Sequence, residues 1–213
     1  MLDALLREPG VEEVLDLRSP AIGFLALHGG SLDRLTDVIA GEAAARSGAS
    51  LYAIVQPPTL RWHIPSEQHD PSLAPRLEAF LDHVDLVISV HGYGSDGASV
   101  RRGSSARARP PDLRRCVELQ AFVLGGHNRA LAARVATALR RGVPDHPVVV
   151  DPDEVPRRLA ARHPRNPVNG TREGGVQVEV PAGARGLLPG WTPRLTEVST
   201  ALATVAAEVV GGP

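Results

Sequence analysis

Apolar residues in this chain come in short unbroken runs separated by stretches of helical period. The first clear run is Ala21 to Leu27, AIGFLAL. A strand covered on both faces reads as continuous apolar sequence rather than as alternation, so a buried strand is expected there. After Gly29-Gly30, residues Leu35, Val38, Ile39 and Ala43 recur at helical spacing. That predicts a helix capped by Ser31, running to Arg46 and stopped by Gly48. The cadence then repeats. Strands are expected at 51–55 and 85–90, with a helix at 73–82 between them. Residues 117–124 are strand-like, Asn128 caps a helix to Arg141, and 148–150 form a strand. A short helix at 153–162, an alternating strand at 175–180 and a final helix from a Thr192 cap to about Val210 complete the chain. Residues 1–18 carry a helical pattern broken at Pro9-Gly10. Strands alternating with helices predict an α/β fold: a three-layer α/β/α sandwich with a mainly parallel, mixed sheet, in one domain over 1–213.

Two segments resist this rhythm. TLRWHIPSEQHDP, residues 59–71, is a polar irregular loop holding His63, Ser66, His69 and Asp70. Residues 92–115 form a long Gly/Ser-rich stretch with six arginines, either a solvated disordered loop or an electrostatic lid for an anionic chain.

Composition narrows the function classes. The chain has 213 residues, enough for a sizeable core, and only 3% aromatics, so Leu, Val, Ala and Ile must fill that core. All 23 basic residues are arginine, which GC-rich coding explains before any selection for guanidinium chemistry. A net charge of −1 speaks against a general nucleic-acid footprint. Cys116 stands alone beside an apolar run, so no disulfide framework exists and packing is its expected role. The first ten residues lack the apolar core of a secretory signal, and no run approaches the ~20 apolar residues of a spanning helix. A cytoplasmic location without membrane contact is the expectation.

The candidate chemistry gathers where two apolar runs end alike, at His28-Gly29-Gly30 and at His91-Gly92. In open α/β sheets ligands bind beyond the carboxyl ends of the strands. Two histidines delivered there, with Asp33 five residues after the first, suit a site of three protein ligands with room for a water, as catalytic zinc uses. In VQVEV, residues 176–180, Gln177 and Glu179 share one face and the valines the other. Glu179 is then either on the wet face of an edge strand or a general base.

HGGSLD, HIPSEQHD, SVHGYG, VLGGHNRALAARVATALRRG, NPVN and GGVQVEVPAGAR occur in the order and spacing of the poly-γ-glutamate hydrolase family, which the chain resembles over about residues 20–186. Members are zinc-dependent, carboxypeptidase-like enzymes first known from bacteriophages, and relatives often carry the label phage-related replication protein. The resemblance implies Zn2+ held by His28, Asp33 and His91, with Glu179 as the catalytic glutamate acting on the γ-amide links of a polyanion. Apart from the resemblance, His63 and His69 are candidates to support these residues from behind or, for one of them, to stabilise an oxyanion. At least one of the two is expected to be a plain loop histidine, and Gln177 is a further candidate for support. The chain departs from the family in having Asp33 where glutamate is usual and Asn169-Gly170 where Asn-Arg is usual. Arg162, Arg165, Arg172 or Arg185, with Asn169, would then bind substrate carboxylates. Two other readings remain open: deacylation of a small N-acyl amino acid such as N-formylglutamate, and a non-catalytic metal- or anion-binding module of phage origin.

Overall fold

The computed structural model describes residues 1–94 and 111–212. Seven strands form one sheet: β1 (Glu12–Asp16), β2 (Ser19–Gly30), β3 (Ala49–Gln56), β4 (Leu86–Tyr93), β5 (Phe122–Gly125), β6 (Val148–Val149) and β7 (Gly175–Pro181). Their spatial order is β1-β3-β2-β4-β7-β5-β6. Strands β3, β2, β4 and β7 are mutually parallel, and antiparallel pairings at β1–β3 and β7–β5 make the sheet mixed. The helices are α1 (Leu2–Leu5), α2 (Thr36–Ser47), α3 (Pro75–His83), α4 (Pro111–Leu119), α5 (Arg129–Gly142) and α6 (Leu195–Val210).

Alternation along the strands divides the core into two layers. Ile22, Phe24, Ile88, Val90, Val176, Val178 and Leu124 pack against α2, α5 and α6. Leu25, Leu27, Tyr52, Ile54 and Val87 pack against α1 and α3 through Leu2, Leu5, Leu77 and Phe80. The sandwich is therefore α/β with helices on both faces, as the sequence predicts. A smaller cluster, with Tyr93, Leu113, Cys116 and Val123, seats α4, and Cys116 is buried in it. Among the described residues no helix is long and apolar enough to cross a membrane.

Several elements differ from their expected form. Residues 12–16 are not helical but form edge strand β1, with Glu13 opposite Ile54 and Leu15 opposite Tyr52. Pairing with β3 overrides local propensity there. The expected strand 117–124 begins only at Phe122, because Leu113 and Cys116 fall at helical spacing on one cluster and carry α4 to Leu119. Gln120, at φ 49°, breaks the chain between helix and strand. The expected helix at 153–162 is reduced to a 3-10 turn, Arg157–Leu159, since Pro156 disfavours helical backbone before it. Thr192 does not cap α6, which starts at Leu195 after Arg194 with no side-chain cap. Of the 92–115 segment, residues 92–93 belong to β4 and 111–115 to α4, while 95–110, with Arg101, Arg102, Arg107 and Arg109, lie outside the described residues.

Candidate metal centre and active-site cleft

His28 lies inside β2, not after it. By parity it should share a face with Phe24 and Ala26. The pairing of β2 with β3 shifts by one residue between Ala26 and Gly29, however, since Ala26 faces Ala53 and Gly29 faces Val55. An extra residue of this kind re-aims the side chains beside it. His28 accordingly turns to the side of Leu27, where its Nε2 meets the Ile64 carbonyl at 2.8 Å. Gly30 holds the exit of the strand at φ 71°, where a Cβ would collide with Gln56 backbone.

The chain then folds back. Asp33 N–H donates to the His28 carbonyl at 2.7 Å, and the Asp33 carbonyl accepts from Thr36 N–H at 3.1 Å and Thr36 Oγ1 at 2.8 Å. Leu35, at φ 74°, precedes α2 in a left-handed conformation unusual for a branched residue. Ser31 is not the expected cap; its hydroxyl donates to the Leu60 carbonyl instead. This turn brings Asp33 Oδ2 to 3.3 Å from His28 Nδ1. The same oxygen lies 3.6 Å from Nδ1 of His91 on β4 and accepts from Gly92 N–H at 3.2 Å. One ligand atom from each of His28, Asp33 and His91 lies within 4.8 Å of the others. Both histidines are 4% exposed, and the partly buried Asp33 side chain is 15% exposed.

The donor set fits a metal ion. With its Nε2–H donated to Ile64, neutral His28 turns the lone pair of Nδ1 toward a carboxylate oxygen. Two acceptors face to face need a cation between them, a proton or a metal. Burial works to lower the His28 pKa, but the hydrogen bond and charge of Asp33 outweigh it and raise it. Burial likewise opposes ionisation of Asp33, yet hydrogen bonds to His28 and His91 hold it well below the usual carboxylate range. His91 is lowered, chiefly by burial, and its Nε2 has no hydrogen-bond partner.

Glu179 is directly opposite His91 in the β4–β7 register. Strand β7 is central rather than an edge, and all seven of its residues are buried. Burial first, and the Asp33 charge second, push the Glu179 carboxyl up to about 8. Gln177 Nε2 donates to Glu179 Oε1 at 2.8 Å, and Asn166 Nδ2 donates to Gln177 Oε1 at 3.3 Å. Asn166 is thus part of the support for Glu179, which sequence reasoning missed although it opens the NPVN motif.

These groups open onto a cleft of about 760 Å³. His28, Asp33, His91, Gln177 and Glu179 line its base, and Arg61, His63, Arg157, Arg158 and Arg162 line its walls.

The chain matches the family described as poly-gamma-glutamate hydrolase over residues 11–123 and 117–190. It belongs to that family. As a poly-gamma-glutamate hydrolase family member, the chain is an amide-bond hydrolase by class. Solved structures agree on the fold. A bacteriophage poly-gamma-glutamate hydrolase is 19% identical, with a TM-score of 0.69 over 94% of this chain and 90% of that one. YNDL in its apo, zinc-free form is 22% identical, with a TM-score of 0.68 over 95% and 92%. N-formylglutamate amidohydrolase from Ralstonia eutropha JMP134 is 14% identical, with a TM-score of 0.53 over 93% and 97%. Among curated proteins, none matches the chain.

In this member of the poly-gamma-glutamate hydrolase family, the residues expected to bind substrate scatter. Arg162 lines the cleft, though its guanidinium also donates to the Pro152 carbonyl. Arg165 instead borders a separate depression beside Pro167 and Gly170. Arg172 pairs with Asp85 on the surface. Asn169 is tied into its loop, donating to the carbonyls of Ala161 and His163 and accepting from His127 N–H. Arg185 is 1% exposed and points its NH groups at backbone carbonyls. His63 and His69 do cluster around His28, with ring centroids 4.9 Å and 5.5 Å away. His63 lines the cleft, whereas His69 is buried and lowered to about 3 by burial and the neighbouring His28 charge. Arg157 and Arg158, which sequence reasoning did not single out, lie on the 3-10 turn and line the cleft.

Proposed function

We propose that this protein is a zinc-dependent hydrolase of γ-glutamyl amide bonds, acting on poly-γ-glutamate or a related γ-linked anionic peptide. The convergence of His28 Nδ1, Asp33 Oδ2 and His91 Nδ1 beside the Glu179 carboxyl carries this reading. Two imidazoles and one carboxylate match the ligand set of catalytic zinc, and the structure of YNDL is described as zinc-free. Zinc bound there would act as a Lewis acid on the scissile carbonyl and make a water nucleophilic near neutral pH.

The protein's own groups then have distinct tasks. Glu179 takes the proton from the attacking water and passes it to the departing amine. Gln177, braced by Asn166, fixes the carboxyl orientation for both transfers. Asp33, whose Oδ2 faces Nδ1 of both imidazoles, would complete the ligand set with them. Substrate carboxylates are received by Arg157 and Arg158, which are exposed on the cleft wall, with Arg61 and Arg162 beside them. A cleft with cations spread along its walls suits a chain of carboxylates better than one small acyl amino acid.

The test is a panel of γ-glutamyl polymer, short γ-glutamyl peptides and N-formylglutamate, offered to zinc-loaded protein and to Glu179→Gln. Shortening of the polymer by wild type alone is expected. Cleavage of N-formylglutamate with the polymer untouched would replace this reading with deacylation, and a fully active Glu179→Gln would remove the mechanism.

A further inference from the structure

Arg185 follows β7 by four residues and is among the largest fully buried side chains of the protein. Its NH1 donates to the Arg34 carbonyl at 3.0 Å and its NH2 to the Tyr93 carbonyl at 2.9 Å. Arg34 is the residue after Asp33, and Tyr93 stands two after His91. One guanidinium therefore joins the turn that presents one candidate ligand to the strand end that presents another. It crosses at Gly92, where a Cβ would lie only 2.5 Å from Arg185 Cζ. The absent side chain at 92 is what admits the guanidinium, and the N–H of the same glycine holds Asp33 Oδ2. Arg185 is not among the described residues that line the cleft, and both of its NH groups are committed to backbone carbonyls.

We propose that Arg185 is a positioning residue: a buried strap, seated in the gap at Gly92, that fixes the distance between Asp33 and His91 and so preorganises the metal centre. This rests on the metal-binding reading above. Two effects of the guanidinium oppose each other. Its positive charge repels a bound cation, so a purely electrostatic role predicts tighter metal binding once the charge is removed. Its two bonds to backbone carbonyls hold ligands in place, so the strap predicts weaker binding. The bonds are of ordinary length, and both carbonyls stand within two residues of a candidate ligand. Loosening a support of this kind typically weakens metal affinity by about 10- to 100-fold.

The experiment measures zinc affinity by chelator competition, and the visible absorption of the cobalt(II)-loaded protein, in wild type, Arg185→Met, Gly92→Ala and the double variant. Each single variant is expected to bind zinc at least about tenfold more weakly and to show an altered cobalt spectrum. The double variant should be no worse than the singles, since both remove the same contact. A folded Arg185→Met with wild-type or tighter affinity and an unchanged spectrum overturns the strap. If Arg185→Met does not fold, Gly92→Ala, which adds one methyl group, decides between strap and no strap by the same two measurements. A wild type that binds no zinc overturns the metal reading itself and the strap with it, a result distinct from any difference between variants.

Discussion

His91 and Glu179 are register partners on adjacent parallel strands, so a candidate ligand and a candidate base stand side by side in the centre of the sheet. Rigid strands hold such groups more tightly than loops do. The geometry separates their tasks. His91 meets Asp33, while Glu179 is held by Gln177 and is not among the three convergent ligand atoms. Glu179→Gln should therefore retain zinc, measured by metal analysis, while kcat on γ-glutamyl substrate falls by on the order of 10²- to 10⁴-fold.

Glu179 also sets a pH dependence for the metal-free protein. Its folded pKa of about 8 exceeds its ordinary value of 4.5. Between those values the folded state keeps a proton that the unfolded chain has released. The stability from this group is whole below about 4.5 and is lost as pH rises through about 8. The slope reaches at most about 1.4 kcal/mol per pH unit. Thermal melts of metal-free wild type should fall relative to Glu179→Gln across that window, and parallel curves would contradict the assignment.

Zinc should stabilise the fold through linkage. At a hundredfold excess over Kd a ligand specific to the native state adds about 2.7 kcal/mol. For a chain of this size each kcal/mol moves Tm by roughly 2–4 °C. A rise of about 5–11 °C on adding zinc is expected, reversed by a chelator and absent in His28→Ala, Asp33→Ala and His91→Ala. Calorimetry or dye-reported melting would measure it.

Arg157 and Arg158 are exposed, and a pair of this kind contributes up to about 1 kcal/mol per ion pair. Replacing both by alanine should raise KM for the polymer by on the order of tenfold and leave kcat near wild type. Added salt should narrow the gap between variant and wild type. Steady-state kinetics at two ionic strengths will check both expectations.

The layers and the sheet were legible because the apolar runs at 21–27, 51–55 and 85–90 are strands buried on both faces. That His28, Asp33, His91 and Glu179 would come together was legible because glycines follow the histidines and polar side chains interrupt the valines of β7. The edge strand β1 was not, since Glu12, Glu13 and Asp16 carry no strand signal until β3 is there to pair with them. Substrate-side arginines were hardest to place. Whether an arginine reaches the cleft depends on turns around Pro156 and Pro167, and those are set by packing rather than by period. Arg185 illustrates the same difficulty: its position after the glutamate strand suggested a clamp for substrate, while the space at Gly92 draws it inward.

The one-residue slip in β2 has a consequence for anyone moving this chemistry to another scaffold. Copying His28, Asp33 and their glycines onto an ordinary strand would turn the imidazole into the opposite layer, toward α2 and away from His91. What must be transferred is the count of residues from Ala26 to Gly29 opposite Ala53 and Val55. A single deletion there would disarm the centre while leaving every one of its side chains in the sequence.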